Sequence, residues 1–228
     1  MTTTTIPPKT VRIGIISGST RVVRVGPQIA AFVRSLIEKD LKTSPVEGLQ
    51  IEFEDIDVGS LNLPLFDEPI IPSHTDIPDG YTHEHTRTWS RRISALDAFV
   101  FVTSQHNWGV PAGLKNAIDY LYKEWKGKPY VVVSYGGHGG GHAAKALEVI
   151  LGGGLKMRGV DGGAVNLSFP SCDVLHKSIR GDDLRLLPSA EAAAEETWSD
   201  RTEDIVQLWR KMAVLLTTPV EEKQKPVA

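Results

Sequence analysis

Residues 11–33, "VRIGIISGSTRVVRVGPQIAAFV", decide how this chain folds. The run "VRIGIIS" is short, rich in Val and Ile, and ends at Gly18, the pattern of a buried strand. Pro27 then opens a helical pattern in which Ile29, Phe32, Val33, Leu36 and Ile37 share one face up to Lys39. Between the two lies Ser-Gly-Ser-Thr-Arg, a group of hydroxyls and one guanidinium at a strand-to-helix turn.

The same alternation continues along the chain. "LQIEFEDIDV" (49–58), "DAFVFVTSQ" (97–105), "PYVVVSY" (129–135) and "GGAVNLSF" (162–169) read as four more strands. "THEHTRTWSRRISAL" (82–96) reads as a helix capped by Thr82. "PAGLKNAIDYLYKEW" (111–125) follows with an apolar stripe of Leu114, Ile118, Leu121, Tyr122 and Trp125, and "HAAKALEVIL" (142–151) gives the next helix. A last helix is expected from a cap at Ser189 through Trp209 towards Leu216. The proline-rich stretch from Gly59 to Tyr81 is long for a connection inside a compact domain, which points to a functional or interfacial loop. The segment from Pro170 to Pro188 reads as irregular. Strands this uniformly apolar, alternating with helices, predict an α/β, doubly wound parallel sheet with helices on both faces. One domain is expected over 11–217, with a disordered tail at 1–10 and a polar tail at 218–228.

Composition narrows the partners. With 25 basic and 28 acidic side chains the net charge is -3, which lacks the basic stripe that nucleic-acid binding needs. The single cysteine, Cys172, forms no intrachain disulfide and suits a reducing compartment. No apolar run approaches the roughly 20 residues that span a bilayer. "MTTTTIPPKT" has neither the core of a signal peptide nor the arginines of a transit peptide. A cytoplasmic protein without membrane or nucleic-acid partners is expected.

In open α/β sheets the ligand lies beyond the carboxyl ends of the strands. After the first strand, Ser17, Ser19 and Thr20 offer hydroxyls beside a helix N-terminus, and Arg21 adds a fork for two phosphate oxygens. This is a phosphate loop or simply a well-capped helix. There is no GxxxxGK[ST] and no GxGxxG in this turn, which argues against a P-loop or a dinucleotide pyrophosphate site. After the third strand, Gln105 and Asn107 can bond the edge of a heteroaromatic ring, with the flat side chains of His106 and Trp108 beside them. After the fourth, "GGHGGG" allows close backbone approach or positive φ. A phosphate at one loop and a planar, hydrogen-bonding ring at the other two describe flavin mononucleotide, FMN.

Three stretches carry a family resemblance: "GSTR" with "RVG" behind it, "NWGVPAGLKNAIDYLYKEW", and "SYGGHGG". They resemble the NADPH-dependent FMN reductases, flavodoxin-like quinone, azo and chromate reductases, and most of all the fungal branch. The resemblance covers Val11 to about Phe169 and leaves Pro170–Pro188 without a counterpart. It implies the flavodoxin-like strand order 2-1-3-4-5 and a homodimer with one FMN per subunit. NADPH or NADH would reduce that FMN, and quinone-like acceptors would reoxidise it. It also implies that Ser19 and Arg21 bind the phosphate, with Arg24, Val25 and Gly26 closing the loop. Gln105, His106, Asn107 and Trp108 would follow the ribityl chain and ring edge, and Ser134, Gly136, Gly137 and Gly140 would form the flavin-contacting glycine loop. "LPLFDEP", with Leu65 and Phe66, would approach the partner's flavin. Ser104-Gln105-His106-Asn107 stands where the family often has Pro-Glu-Tyr-Asn, so a histidine replaces its tyrosine.

Such an enzyme needs no side-chain acid or base, because the cofactor carries the chemistry. Three other readings compete. Arg24 is an alternative partner for the 2′-phosphate of NADPH. His138 and His142, with His106, suggest a metal site, but the glycines between them spoil helical spacing and no third ligand is suitably placed. An electron carrier, or an FMN-binding regulatory protein without turnover, would suit the same loops. Carriers tend towards a strongly acidic face, which a net charge of -3 does not supply.

Overall fold

A computed structural model describes residues 7–188 and 197–218. Five strands, β1 (Lys9–Ser17), β2 (Leu49–Asp57), β3 (Ala98–Ser104), β4 (Pro129–Gly136) and β5 (Arg158–Ser168), form one sheet in the order β2-β1-β3-β4-β5. Every neighbouring pair is parallel. The predicted α/β class and strand order are therefore observed. β1 starts two residues before the apolar run because Lys9 and Thr10 pair with Leu49 and Gln50. The rest of the predicted N-terminal tail, residues 1–6, lies outside the described residues, as do 219–228 of the C-terminal one.

Parallel strands need helical crossovers, and right-handed crossovers place the helices on two faces. On one face, Ile13, Ile15, Val100, Val102, Val131 and Val133 pack beneath α1 (Gly26–Thr43) and α6 (Thr202–Thr217). On the other, Ile16, Phe99, Phe101 and Val132 meet α2 (Glu84–Ser94), α3 (Ala112–Asp119) and α4 (Gly141–Glu148). Trp125 and Trp209 are among the largest fully buried side chains, one in each layer. The strand order reverses at β1 and β3, so a crevice opens at their carboxyl ends.

Several elements differ from the expectations. Thr82 does not cap α2. The cap position is His83, and the buried carboxylate of Glu68 accepts the backbone N–H groups of Thr82 and His83 at 2.9 Å each. α3 ends at Asp119 rather than Trp125. There the buried Glu124 turns inward to accept the Ser90 hydroxyl at 2.6 Å and the Tyr122 N–H at 3.1 Å. α4 gives way at Val149 to a wider, π-type turn that runs to Gly154. The segment expected to be irregular contains α5 (Cys172–Arg180), capped by the Ser171 side chain and closed by Gly181 at φ +73°. The expected cap at Ser189 lies outside the described residues, and the last helix begins at Thr202. Among the described residues no helix is long and apolar enough to cross a membrane.

Burial works to raise the Glu68 carboxyl above its ordinary value of 4.5, but the neighbouring Thr86 hydroxyl and the N–H groups of His83 and Thr82 outweigh it and hold the group lower. A depressed carboxylate stabilises the fold above its unfolded value and loses that contribution as pH falls through its folded value. Glu68→Gln, which can accept from only one of the two N–H groups without clash, should cost about 1–3 kcal/mol in urea denaturation at neutral pH. The difference from wild type should shrink as the pH falls below 4.5.

Candidate functional site

The loops after β1, β3 and β4 meet at the crevice. Ser19, Arg21, Arg24 and Val25 come from the first loop, Gln105 from the second, and Gly136 and Gly137 from the third. All seven line a single cavity of about 140 Å³. Ser104, Tyr135 and Phe169 complete its floor, and Leu175, Ser178 and Ile179 of α5 form its far side. Ser19 is almost fully buried, whereas Arg21 is exposed. The Tyr135 hydroxyl lies among those of Ser104 and Ser19; burial raises its pKa, against those hydroxyls and the charges of Arg21 and Arg24.

The remaining expected residues take other places. Gly26 begins α1 behind the loop. Ser134 is fully buried, its Oγ lying 2.7 Å from the Gly139 carbonyl and 2.6 Å from Asn166 Oδ1, so it shapes the glycine loop from beneath. Gly139 and Gly140 have φ of +78° and +79°, and a Cβ on Gly140 would stand 3.0 Å from the Tyr135 backbone. Here glycine serves the turn. At Gly137 a Cβ would meet nothing within 4 Å, which leaves a bare peptide face open to a ligand.

Asn107 and Trp108 are the two central residues of a tight turn closed by His106 N–H to Gly109 O (3.0 Å) and Gly109 N–H to His106 O (2.9 Å). Both have positive φ, +46° and +66°. Asparagine tolerates this region, a tryptophan rarely adopts it, and the indole here is 72% exposed. That ring packs on His142 with centroids 4.1 Å apart. Trp108 and Gln105 border a second cavity of about 500 Å³, shared with His138, Gly141, His142, Lys145 and Asn166. Gln105 stands between the cavities, its Oε1 accepting the His142 N–H at 3.1 Å. His106 lines neither cavity; its Nε2 lies 3.0 Å from the Ser104 hydroxyl. Burial, then the charge of Arg21, lowers its pKa below 6.5 and keeps the ring neutral at neutral pH.

Arg24, which lines the first cavity, also has a protein partner. Its guanidinium pairs with Asp57 at the end of β2 and donates to the Arg21 carbonyl at 2.9 Å. Asp57 also accepts the Gly59 N–H and the Ser60 hydroxyl, so one carboxylate ties the phosphate-type loop to the next strand's exit. Two buried donors beside it, Arg24 Nε and Ser17 Oγ, have no hydrogen-bond partner among the described residues. Unpaired buried donors, an open peptide face and the exposed Arg21 fit a phosphate-bearing planar ligand. The sequence reading missed Ser104, Tyr135, Phe169 and the α5 side chains. Tyr135 was legible only in that a tyrosine beside a glycine tract puts a hydroxyl near the loops. Among the described residues, no three His, Cys, Asp or Glu side chains are grouped to hold a metal ion.

The sequence profile of the family described as NADPH-dependent FMN reductase matches residues 11–170. This chain belongs to the NADPH-dependent FMN reductase family. A NAD(P)H-dependent FMN reductase of Saccharomyces cerevisiae is 46% identical over 158 residues, covering 68% of this chain and 81% of that one. A NAD(P)H-dependent FMN reductase of a Nectria species is 35% identical over 214 residues, covering 92% and 99%. Among solved structures, the flavoenzyme NAD(P)H:(acceptor) oxidoreductase FerB of Paracoccus denitrificans superposes with a TM-score of 0.54 at 21% identity, covering 92% and 97%. That likeness shows the shared fold. Within this FMN reductase, all three stretches that carried the resemblance fall inside the matched region.

The Arg24–Asp57 pair is partly buried, with side chains 20% and 26% exposed. A double-mutant cycle with Arg24→Gln and Asp57→Asn, read by urea denaturation, should give a coupling of about 1 kcal/mol or more. A coupling near zero would mean that the guanidinium is not held by Asp57.

Proposed function

We propose that this chain is an FMN-dependent NAD(P)H oxidoreductase that reduces quinone-type acceptors. The observation that carries this reading is that the three strand-end loops, far apart in sequence, line one cavity with hydroxyl, guanidinium and bare peptide groups. Ser19, Arg21 and the buried donor of Arg24, all of which line that cavity, would hold the phosphate. Gln105 and the peptides of Gly136 and Gly137 would take the ribityl chain and ring edge, with Trp108 bordering the ring. Bound FMN would supply the redox chemistry, accepting two electrons from a reduced pyridine nucleotide and delivering them to a quinone.

The protein's own part is placement. Backbone N–H groups of the glycine loop are oriented before the ligand arrives, so they stabilise charge that develops on a bound ring without reorganisation. The turn at Asn107–Trp108 is closed by two backbone hydrogen bonds and would present the indole at the edge of the second cavity. Neutral His106, held by Ser104, leaves the positive charge at the site to the guanidiniums.

We also propose that the chain works as a homodimer. Leu65 is 85% exposed, yet its loop is braced: Phe66 N–H donates to Asn116 Oδ1 at 2.9 Å, and Tyr120 donates to Asp67 at 2.9 Å. A rigid loop presenting an apolar tip suits a partner surface better than solvent.

Reconstitution with FMN should give bound flavin bands that NADPH bleaches anaerobically and benzoquinone restores. Bands that NADPH leaves unchanged would exclude a reductase. Arg21→Ala should weaken FMN binding about 10- to 100-fold in fluorescence titration and leave riboflavin, which lacks the phosphate, nearly unchanged. Sedimentation should show a dimer that Leu65→Asp weakens by about tenfold or more; a monomeric wild type would remove the dimer from this reading.

A further inference from the structure

The family match ends at residue 170, and α5 begins immediately after it at Cys172. Yet α5 closes one side of the cavity lined by Ser19 and Arg21. The three α5 side chains that face the cavity, Leu175, Ser178 and Ile179, carry no charge, and the Ser178 hydroxyl already donates to the Leu175 carbonyl at 2.7 Å. The helix therefore contributes a wall rather than a further ligand for an anion.

The wall is fixed at both ends. Ser171 caps its first turn through Val174 N–H at 3.3 Å, and Val174 is buried in the core. Beyond its last turn, Gln28 of α1 clamps the chain twice, donating to the Asp182 carbonyl at 3.1 Å and accepting the Leu184 N–H at 2.9 Å. Leu184 and Leu186 then bury themselves beside α1. At Gly181 a Cβ would lie 2.9 Å from Val23 Cγ1 and 3.7 Å from Arg24 N, so the end of α5 rests on the loop that carries Arg21 and Arg24. The helix and that loop are tied to the same element, α1.

We infer that α5 is a rigid end wall that admits a terminal phosphate monoester and excludes anything attached beyond it, so that it selects FMN over FAD. This rests on the cofactor reading above. Pockets for drug-sized ligands run to roughly 300–1,000 Å³. The cavity bounded by α5 is about 140 Å³, well below that range, and Leu175 and Ile179 stand across the side on which an extension would continue. The larger cavity lies on the far side of Gln105, away from α5. An adenylate extension would have to displace Leu175 and Ile179, and the Gln28 clamp resists that displacement.

The test is a fluorescence titration of FMN, FAD and riboflavin against wild type and three variants whose folding is checked by circular dichroism. Ile179 is 64% exposed, so charges are tolerated there. Ile179→Glu should weaken FMN about tenfold, Ile179→Lys should not weaken it, and riboflavin should stay within about twofold in both. The double variant Leu175→Ala with Ile179→Ala should narrow the wild-type preference for FMN over FAD by about tenfold. An unchanged FMN-to-FAD ratio in the double variant, or equal effects of Ile179→Glu on FMN and riboflavin, would overturn the assignment of α5 and leave the cofactor reading intact. A wild type that binds no flavin would overturn the cofactor reading itself, and the role of α5 with it.

Discussion

The close approach of α3 to the end of β1 governs the whole ligand edge of this molecule. A Cβ at Gly18 would lie 2.6 Å from Leu114 Cδ2, and one at Gly113 would lie 2.3 Å from Thr20 Cγ2. Neither position has room for a side chain, so the loop after β1 lies directly on the first turn of α3. The Gly18 N–H donates to the Val102 carbonyl at 2.9 Å, which continues the β1–β3 ladder into the turn. As a result the loop between β1 and α1 is fixed against α3, with the cavity residues Ser19 and Arg21 on either side of Thr20.

Three carboxylates hold irregular backbone in place. Asp57 gathers Arg24, Gly59 and Ser60, Glu68 gathers Thr82 and His83, and Glu124 gathers Ser90 and Tyr122. Hydrogen bonds to an ionised carboxylate are stronger than neutral ones, so each group fastens several donors at once. Tyr120 repeats the pattern with Asp67, and its hydroxyl is pushed up to about 12, first by burial and then by that carboxylate. The acidic side chains thus act largely as internal fasteners, and Arg21 remains as the cation exposed at the cavity mouth.

Strain is placed where it serves the same edge. Trp108 keeps a positive φ while its ring packs on His142. The hairpin closed by His106 and Gly109 holds that backbone conformation. The flat, exposed indole is therefore kept in position at some local cost, as is common where a ligand must be met by a rigid surface.

Apolar periodicity and turn chemistry are local, and the sequence alone was enough to determine what depends on them. The Val- and Ile-rich strands, the helix opened by Pro27 and the three ligand-facing loops followed from residues within a few positions of one another. The partners of isolated charges did not. Glu68 reaches across 14 residues to the start of α2 because the long connection folds back on itself, and Arg24 finds Asp57 33 residues away because β1 and β2 are neighbours in the sheet. The same holds for α5. Its Ser171 cap, the stripe of Val174, Leu175 and Ile179, and the Gly181 terminus were visible as letters, but the helix spans only Cys172–Arg180, and what its stripe faces was set by the fold. Local sequence could name the groups that hold a phosphate. That Tyr135, Ser104 and the far wall of α5 enclose the same space was decided by the packing of distant loops on one sheet edge.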